Sequence, residues 1–332
     1  MSAGLAAHWY RDGWLSRVLQ PLAWLYCAVM TLRRALYRAG VLKSVRLPVP
    51  VIVVGNLTVG GTGKTPLTIW LCERLRAAGF RPGVVARGYG GRAAHWPQPV
   101  SAGSDPAQVG DEPVLIARRS GCPVCVGPDR VAAARALLAA QDCDIIVSDD
   151  GLQHYRLARD LEIAVLDGER RYGNGRCLPA GPLREPRSRV RQVDIQVVQG
   201  EARAGEAGMA LAVIEAYRLA DGRRRPLSEF AAEAPVHAVA GIGHPSRFFR
   251  MLRDAGLSVE EHAFPDHHPY RPGDLDFPDR RPVLMTEKDG VKCRRFADAR
   301  MWAVAVEARL APAVADALLS RLERDKRGQK TA

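Results

Sequence analysis

Short apolar runs alternate along this chain with stretches whose apolar positions recur every three or four residues. That alternation predicts an α/β protein. Residues 51–54, VIVV, are a β-branched run and predict a buried strand. Leu67, Trp70, Leu71 and Leu75 then fall on one stripe of a helix over 65–78. Further strands are predicted at 82–86, 123–127, 144–148 and 162–167, with a helix over 129–140. Residues 209–217 and the Asp221-Gly222 turn read as a hairpin. The pattern then restarts with a strand at 236–240, a glycine turn at 241–245, and a helix through Phe249 and Leu252. A strand at 282–286 and an amphipathic helix over 311–324 follow.

The strand at 51–54 runs into a glycine turn and then a helix, the context a phosphate-binding P-loop requires. The local sequence is Asn56-Leu-Thr-Val-Gly-Gly-Thr-Gly-Lys-Thr65. Gly60, Gly61 and Gly63 have no Cβ, so their N–H groups can curl round an anion at the positive end of the helix. Lys64 is placed to reach the β- and γ-phosphates and the Thr65 hydroxyl to hold Mg²⁺. Thr58 stands where G-x-x-x-x-G-K-[ST] has its first glycine. Downstream, the strand over 144–148 ends in Asp149-Asp150-Gly-Leu-Gln153-His154. An apolar strand ending in Asp is the Walker B arrangement, whose carboxylate helps hold Mg²⁺. Adjacent residues point in opposite directions, and the sequence does not say which Asp faces the metal.

Two more loops lie where open α/β sheets bind ligands. Arg87-Gly88-Tyr89 closes the 82–86 strand, and an arginine-rich loop over 173–191 contains Arg184 and Glu185. With Gln153 and His154 they are candidate contacts for a second, anionic ligand. Asp111 starts a helix with Glu112 and Pro113, a pattern that helix capping alone explains.

Charge changes the picture at the N-terminus. The first fifty residues carry seven Arg or Lys against Asp12 alone, half of the chain's net +12. Residues 18–32 are apolar apart from Gln20 and Thr31, with Trp14, Trp24, Tyr26 and Tyr37 in or beside them and Arg33, Arg34 and Arg38 directly after. The run is too short to span a bilayer and has no cleavage site after it. Its flanking aromatics and arginines suit a helix lying in a membrane interface, against the plainer reading of a helix packed on the domain. No nucleic-acid module is recognisable, so a nucleic-acid partner is not expected. The seven dispersed cysteines point to a reducing compartment. Cys122 and Cys125 have C-x-x-C spacing but no second pair, and read as core residues.

Two other P-loop classes match less well. The sequence Thr286-Glu-Lys-Asp289 lacks the residue that separates Lys from Asp in guanine-reading GTPases. Val59 stands where membrane-positioning ATPase switches carry their first lysine. The alternative carried forward is nonetheless such a membrane-associated ATPase switch.

The motifs GNLTVGGTGKTP, ARGYGG, GDEP, SDDGLQH, PAGPLREP, AGIGHP, FPDHHPY and TEKD, in this order, resemble the tetraacyldisaccharide 4'-kinase family of lipid A biosynthesis. The resemblance runs from the N-terminal helix to Asp289. It implies an ATP- and Mg²⁺-dependent kinase acting on the 4'-hydroxyl of an acylated disaccharide 1-phosphate, held peripherally at the cytoplasmic face of the inner membrane. It implies two α/β/α domains, a P-loop-type parallel sheet with helices on both faces and a smaller α/β domain, joined by a β-linker behind a membrane-associated helix. The expected division is 1–45 for the interfacial helix region, 46–208 for the kinase domain, 209–233 for the linker, 234–326 for the second domain and 327–332 for a basic tail. Carried over residue by residue, it implies an ATP site at Thr58, Val59, Gly60, Gly61, Thr62, Gly63, Lys64 and Thr65. It further implies catalytic Asp111 and His267, the Walker B pair Asp149 and Asp150, and an assisting acid at Glu185. His268, beside His267, leaves two rings open for that role.

Overall fold

The computed structural model describes residues 8–11 and 13–330, with side chains described as far as residue 322. The expected terminal segments therefore lie partly outside the described residues: 1–7, Asp12 and 331–332. In chain order the helices and strands are α1 (Trp14–Val18), α2 (Gln20–Arg38), β1 (Val51–Gly55), α3 (Lys64–Ala77), β2 (Pro82–Ala86), β3 (Gln98–Val100), α4 (Pro106–Val109), α5 (Asp111–Ser120), β4 (Val124–Val126), α6 (Arg130–Ala140), β5 (Ile145–Ser148) and β6 (Leu161–Asp167). There follow β7 (Ile195–Gln199), β8 (Ala207–Arg218), β9 (Arg224–Arg225), β10 (Val236–Ala240), α7 (Pro245–Asp254), β11 (Val259–Ala263), β12 (Val283–Thr286), α8 (Glu287–Cys293), β13 (Met301–Leu310) and α9 (Pro312–Lys330).

One 13-stranded sheet carries the molecule, in the order β11-β10-β12-β13-β8-β7-β6-β1-β5-β2-β4-β3 with β9 on β8. From β8 to β4 every neighbour is parallel, and so is every neighbour from β13 to β11. The two parallel halves join at the antiparallel pair β13–β8. The strand expected as a linker is thus a working member of the sheet. β1 is buried at all five positions, as a strand covered on both faces must be. Ile52 and Val54 pack under α3, and Val51 and Val53 on the opposite face with α6. In the second half, Phe248, Phe249 and Leu252 of α7 cover one face, and Tyr270 and Leu275 the other.

Four strands were not expected: β3, β7, β11 and β13. β11, Val-Glu-Glu-His-Ala, is the edge of the sheet and half-exposed, so its sequence lacks an apolar run.

Candidate active site

Each half presents a loop at the C-terminal end of a strand flanked on both sides by parallel neighbours, the crevice where open sheets bind ligands. In the first half this is the loop after β1. Gly63 has φ +86°, which favours glycine, and a Cβ there would press on the side-chain ends of Gln199 and Met209. The loop is pinned from outside: the Val59 N–H donates to the Pro182 carbonyl at 2.8 Å, and Thr58 bridges to Leu183. Lys64 Nζ donates to Asn56 Oδ1 at 3.2 Å and lies 3.7 Å from Asp150 Oδ1. The buried Thr62 hydroxyl has no hydrogen-bond partner among the described residues, as suits a cradle built for a phosphate.

Asp149 and Asp150 end β5 and diverge. Asp149 is fully buried and its Oδ1 accepts the Thr68 hydroxyl at 2.9 Å, one turn along α3 from Thr65. Asp150, at φ +48°, turns to the Arg184 guanidinium at 2.9 and 3.1 Å. Burial pushes the Asp149 carboxyl up to about 7, helped by the nearby charges of Glu112 and Asp150. Burial acts on Asp150 in the same direction, but Lys64 and Arg184 outweigh it and hold that carboxyl at about 2. The buried Asp149, raised by burial and by the charges of Glu112 and Asp150, suits a hard divalent cation such as Mg²⁺, which Asp149 and the half-buried Thr65 could hold.

The second half closes over this edge. A Cβ on Gly243, in the loop after β10, would lie 2.7 Å from the Gly61 nitrogen, so the two glycine loops touch. Between the halves lies a cavity of about 810 Å³, lined by residues 61–66 on one side and by Gly243, His244, Arg247 and Lys288 on the other. The contact between halves that bears on chemistry joins residues 156 apart: His267 Nδ1 lies 3.1 Å from Asp111 Oδ2. Asp111 is the first residue of α5, after Gly110 at the cap position, and its Oδ1 accepts the Glu112 N–H at 2.9 Å. His267 is held at φ +60° by its own N–H, which donates to the Gly241 carbonyl at 3.2 Å. Its Nε2 faces Lys288 Nζ at 3.2 Å, and Lys288 also bonds Glu112 at 3.1 Å and Asp266 at 3.2 Å. Burial opposes ionisation of Asp111, but the His267 bond and the Lys288 charge bring its carboxyl down to about 2. Burial likewise pulls His267 down, and the hydrogen bond and charge of Asp111 reverse it to a net rise. His268 points elsewhere, to Asp274 at 3.0 Å.

Tyr89 lies against His267 with ring centroids 4.9 Å apart and the planes tilted by 56°, while Gly88 is buried and Arg87 is exposed. Gln153 donates to the Asn56 carbonyl at 3.2 Å and to Glu185 at 3.3 Å. Glu185 is buried and held by Tyr155, Gln153 and Arg189, so its bonds go to neither Thr65 nor Asp149. The ring of His154 turns towards the Arg130 backbone N–H, and burial lowers it to about 4. Lys288 and Glu112 lie at the junction of the halves, yet neither was a candidate from sequence. The Thr286-Glu-Lys-Asp289 motif was the available signal. Thr286 caps α8, Asp289 accepts the Gly241 N–H at 2.9 Å, Glu287 pairs with Arg119 at 2.6 Å, and Lys288 bonds Glu112.

Helix α2 lies over the rim of this edge. Tyr26 donates to the Arg184 carbonyl at 3.1 Å and Arg33 to the Gln153 carbonyl at 3.1 Å. Its other face leaves Leu22, Leu25, Val29 and Leu32 more than half exposed, with Trp24 at 66%. Among the described residues no helix is long and apolar enough to cross a membrane.

The profile of the family described as Tetraacyldisaccharide-1-P 4'-kinase, LpxK, matches residues 15–323. Over 329 residues the chain is 56% identical to the tetraacyldisaccharide 4'-kinase of Alkalilimnicola ehrlichii, spanning 96% of this chain and 97% of that protein. It is 55% identical to the protein of the same name from Stenotrophomonas maltophilia, spanning 96% of each. The crystal structure of LpxK from Aquifex aeolicus in complex with ATP superposes with a TM-score of 0.79 at 30% identity, covering 93% of this chain and 99% of that one. The chain belongs to the tetraacyldisaccharide 1-phosphate 4'-kinase family.

Proposed function

We infer that this chain is an ATP-dependent kinase that transfers the γ-phosphoryl group to the 4'-hydroxyl of tetraacyldisaccharide 1-phosphate, a step of lipid A biosynthesis. The bond between the γ-phosphorus and the β,γ-bridging oxygen breaks, leaving ADP, and a new bond forms to the 4'-oxygen. The supporting observation is the 3.1 Å contact of Asp111 with His267 beside the P-loop cavity. A sugar hydroxyl is a weak nucleophile and needs a positioned group to take its proton. In this reading Asp111 and His267 act as one unit: Asp111 holds the ring through Nδ1–H, Nε2 accepts the proton, and the sugar hydroxyl takes the place of Lys288 Nζ there, Lys288 keeping its bonds to Glu112 and Asp266.

Residues 58–65 cradle the triphosphate, and Lys64 neutralises charge that spreads over the transferring group. Thr65 and Asp149 would hold Mg²⁺, which would supply charge neutralisation of the phosphates. Asp150 keeps Lys64 and Arg184 in place. Glu185, by its contacts, positions Gln153 and Tyr155 rather than a metal. Tyr89, Arg87, Gly88, Gln153, His154 and Arg184 remain the proposed wall of the disaccharide site, with His154 its most remote member. The exposed stripe of α2 rests on a membrane surface, which places the chain peripherally at the cytoplasmic face of the inner membrane. Nucleic acid has no part in this reading. The proposed domain division at 46–208, 209–233 and 234–326 is supported by the change of strand direction at the β13–β8 pair, although β8 itself belongs to the first parallel half.

The deciding experiment is label transfer from γ-labelled ATP to purified tetraacyldisaccharide 1-phosphate in detergent micelles. Label appearing in the lipid is the expected result. Release of inorganic phosphate without labelled lipid would return the chain to the class of ATPase switches.

A further inference from the structure

Far from the phosphate edge, two histidines and a carboxylate converge on the outer strands of the second half. His237 lies on β10, and Glu260 and His262 on the edge strand β11, in parallel register His237 to Glu260 and Val239 to His262. Residues two apart on a strand share a face, so all three side chains project together. His237 Nδ1 lies 3.0 Å from His262 Nε2, and the Glu260 carboxylate lies 3.8 Å from each of those nitrogens. His237 is buried, and Phe277 stacks on it at 4.0 Å and leans on His262 at 4.3 Å.

The protonation pattern is constrained. His237 Nε2 lies 3.0 Å from Asp279 Oδ1, a carboxylate already fixed by the Arg281 N–H at 3.0 Å and Nε at 2.6 Å. Nε2 therefore carries the proton, and Nδ1 presents a lone pair. A ring nitrogen whose opposite N–H is held by a carboxylate is the usual orientation of a metal-binding histidine. Arg281 Nη2 donates to Glu260 Oε2 at 2.7 Å, the oxygen on the His237 side, and leaves Oε1, 3.8 Å from His262 Nε2, free to bind an ion.

We propose that His237 Nδ1, His262 Nε2 and Glu260 form a binding site for a zinc-class divalent cation that ties the edge strand β11 to β10. Ligand atoms roughly 3–4 Å apart are what three bonds of about 2.0–2.2 Å to one ion require. Two imidazoles and one carboxylate favour zinc and its transition-metal neighbours over Mg²⁺. The ion takes the place of the proton between the two rings, and His262 carries its own proton on Nδ1. The site is distinct from the phosphate cavity and stands whether or not the kinase reading holds.

The test uses the full chain after chelator treatment, titrated with Zn²⁺ and, in parallel, with Co²⁺ as a spectroscopic substitute. The comparison variants are His262→Gln and Glu260→Gln, both on the exposed edge strand and outside the phosphate cavity. Wild type should bind one Zn²⁺ that His262→Gln weakens at least tenfold, and Glu260→Gln should weaken it by a smaller factor. Zn²⁺ should raise the wild-type Tm by several degrees, Mg²⁺ should not, and His262→Gln should lose the increment. Co²⁺ should give the visible bands of a low-coordinate nitrogen–oxygen site. Equal Zn²⁺ affinity in wild type and His262→Gln, or a thiolate-to-cobalt band, would overturn the proposal and leave the rings sharing a proton.

Discussion

The loops after β1 and β10 begin alike and end differently. Both leave a strand flanked by parallel neighbours, and both turn on closely spaced glycines. After β10, the Gly241 N–H is already given to Asp289 Oδ2, and a Cβ at Gly241 would strike the Tyr270 hydroxyl at 2.7 Å. That turn is tight because it is packed and internally bonded. After β1, the N–H groups of Gly60, Gly61 and Thr62 donate to no protein group among the described residues, and the first turn of α3 opens on the cavity. A glycine turn after a strand is therefore not by itself a phosphate loop. Unspent backbone donors and a lysine at the helix start make the difference. The second half contributes to the site from elsewhere, through His267 and Lys288.

That division of labour breaks most sharply at the shared pair. Asp111→Ala and His267→Ala should each lower kcat by about 10²–10⁴-fold, the usual worth of a positioned acid–base group. ATP affinity should stay within a few-fold, since neither side chain lines the P-loop. The double variant should lose little more than either single one, as for residues acting as a unit. Fully additive losses in steady-state kinetics would mean that the two act separately.

On the first loop alone, Lys64→Ala should cost about 10²–10³-fold in kcat, as for loss of one charge-stabilising contact in a transition state. Calorimetric titration with ATP should show a smaller loss in binding than in turnover. Near-normal kcat in a properly folded variant would remove the β1 loop from the phosphate site.

Much of this contrast was legible in the residues, and the reasons are local. A P-loop is encoded contiguously, so Gly60 to Thr65 gave both the element and its chemistry. The Walker B strand announced itself by an apolar run ending in Asp149-Asp150. Which of the two faces α3 depends on strand direction and on Arg184, which lies 34 residues away. Asp111 alone was indistinguishable from a helix cap, whereas in the structure Gly110 holds the cap position and Asp111 is the first residue of the helix. Its second bond comes from His267 across the junction, and only the motif order suggested the pairing. Glu112 and Lys288 were invisible for the same reason: each is an ordinary charged residue on a short helix until the halves meet. β11 escaped notice because it is a polar edge, and β13, Met-Trp-Ala-Val-Ala-Val-Glu-Ala-Arg-Leu, because no turn signal such as a glycine or proline directly precedes its apolar run.

A third region belongs to neither half. Replacing Leu25 and Leu32 of α2 together with asparagine removes two exposed apolar side chains while leaving the bonds of Tyr26 and Arg33 in place. Sedimentation with anionic vesicles should fall several-fold, and the apparent KM for the lipid should rise by a similar factor. The KM for ATP should not move. Unchanged vesicle binding would make the stripe a covered surface of some other kind.

The smallest effect is also the most specific, because it is read as a displacement of pH. The position of His267 reflects opposing influences. Burial and the Lys288 charge lower it, while the Asp111 bond and charge and the Asp266 charge raise it, and the raising side wins. If the neutral ring is the form that accepts the hydroxyl proton, kcat should fall on the acid side through a limb lying above the ordinary histidine value of about 6.5. Lys288→Met removes one lowering influence from His267 and one from Asp111. Both groups should then hold a proton more firmly, and the acid limb should move to higher pH by a fraction of a unit to about one unit. The pH-independent kcat on the alkaline side should change far less than in Asp111→Ala. The same sign governs stability. A histidine raised on folding stabilises the fold fully below its unfolded value and loses that contribution as pH rises through its folded value. In Lys288→Met this loss should begin at the same pH but extend to higher pH than in wild type. NMR titration of the His267 ring gives the same quantity without turnover. A ring that titrates unchanged in Lys288→Met would mean that the 3.2 Å approach of Nζ to Nε2 has no electrostatic consequence, and Lys288 would be left as a strut between Glu112 and Asp266.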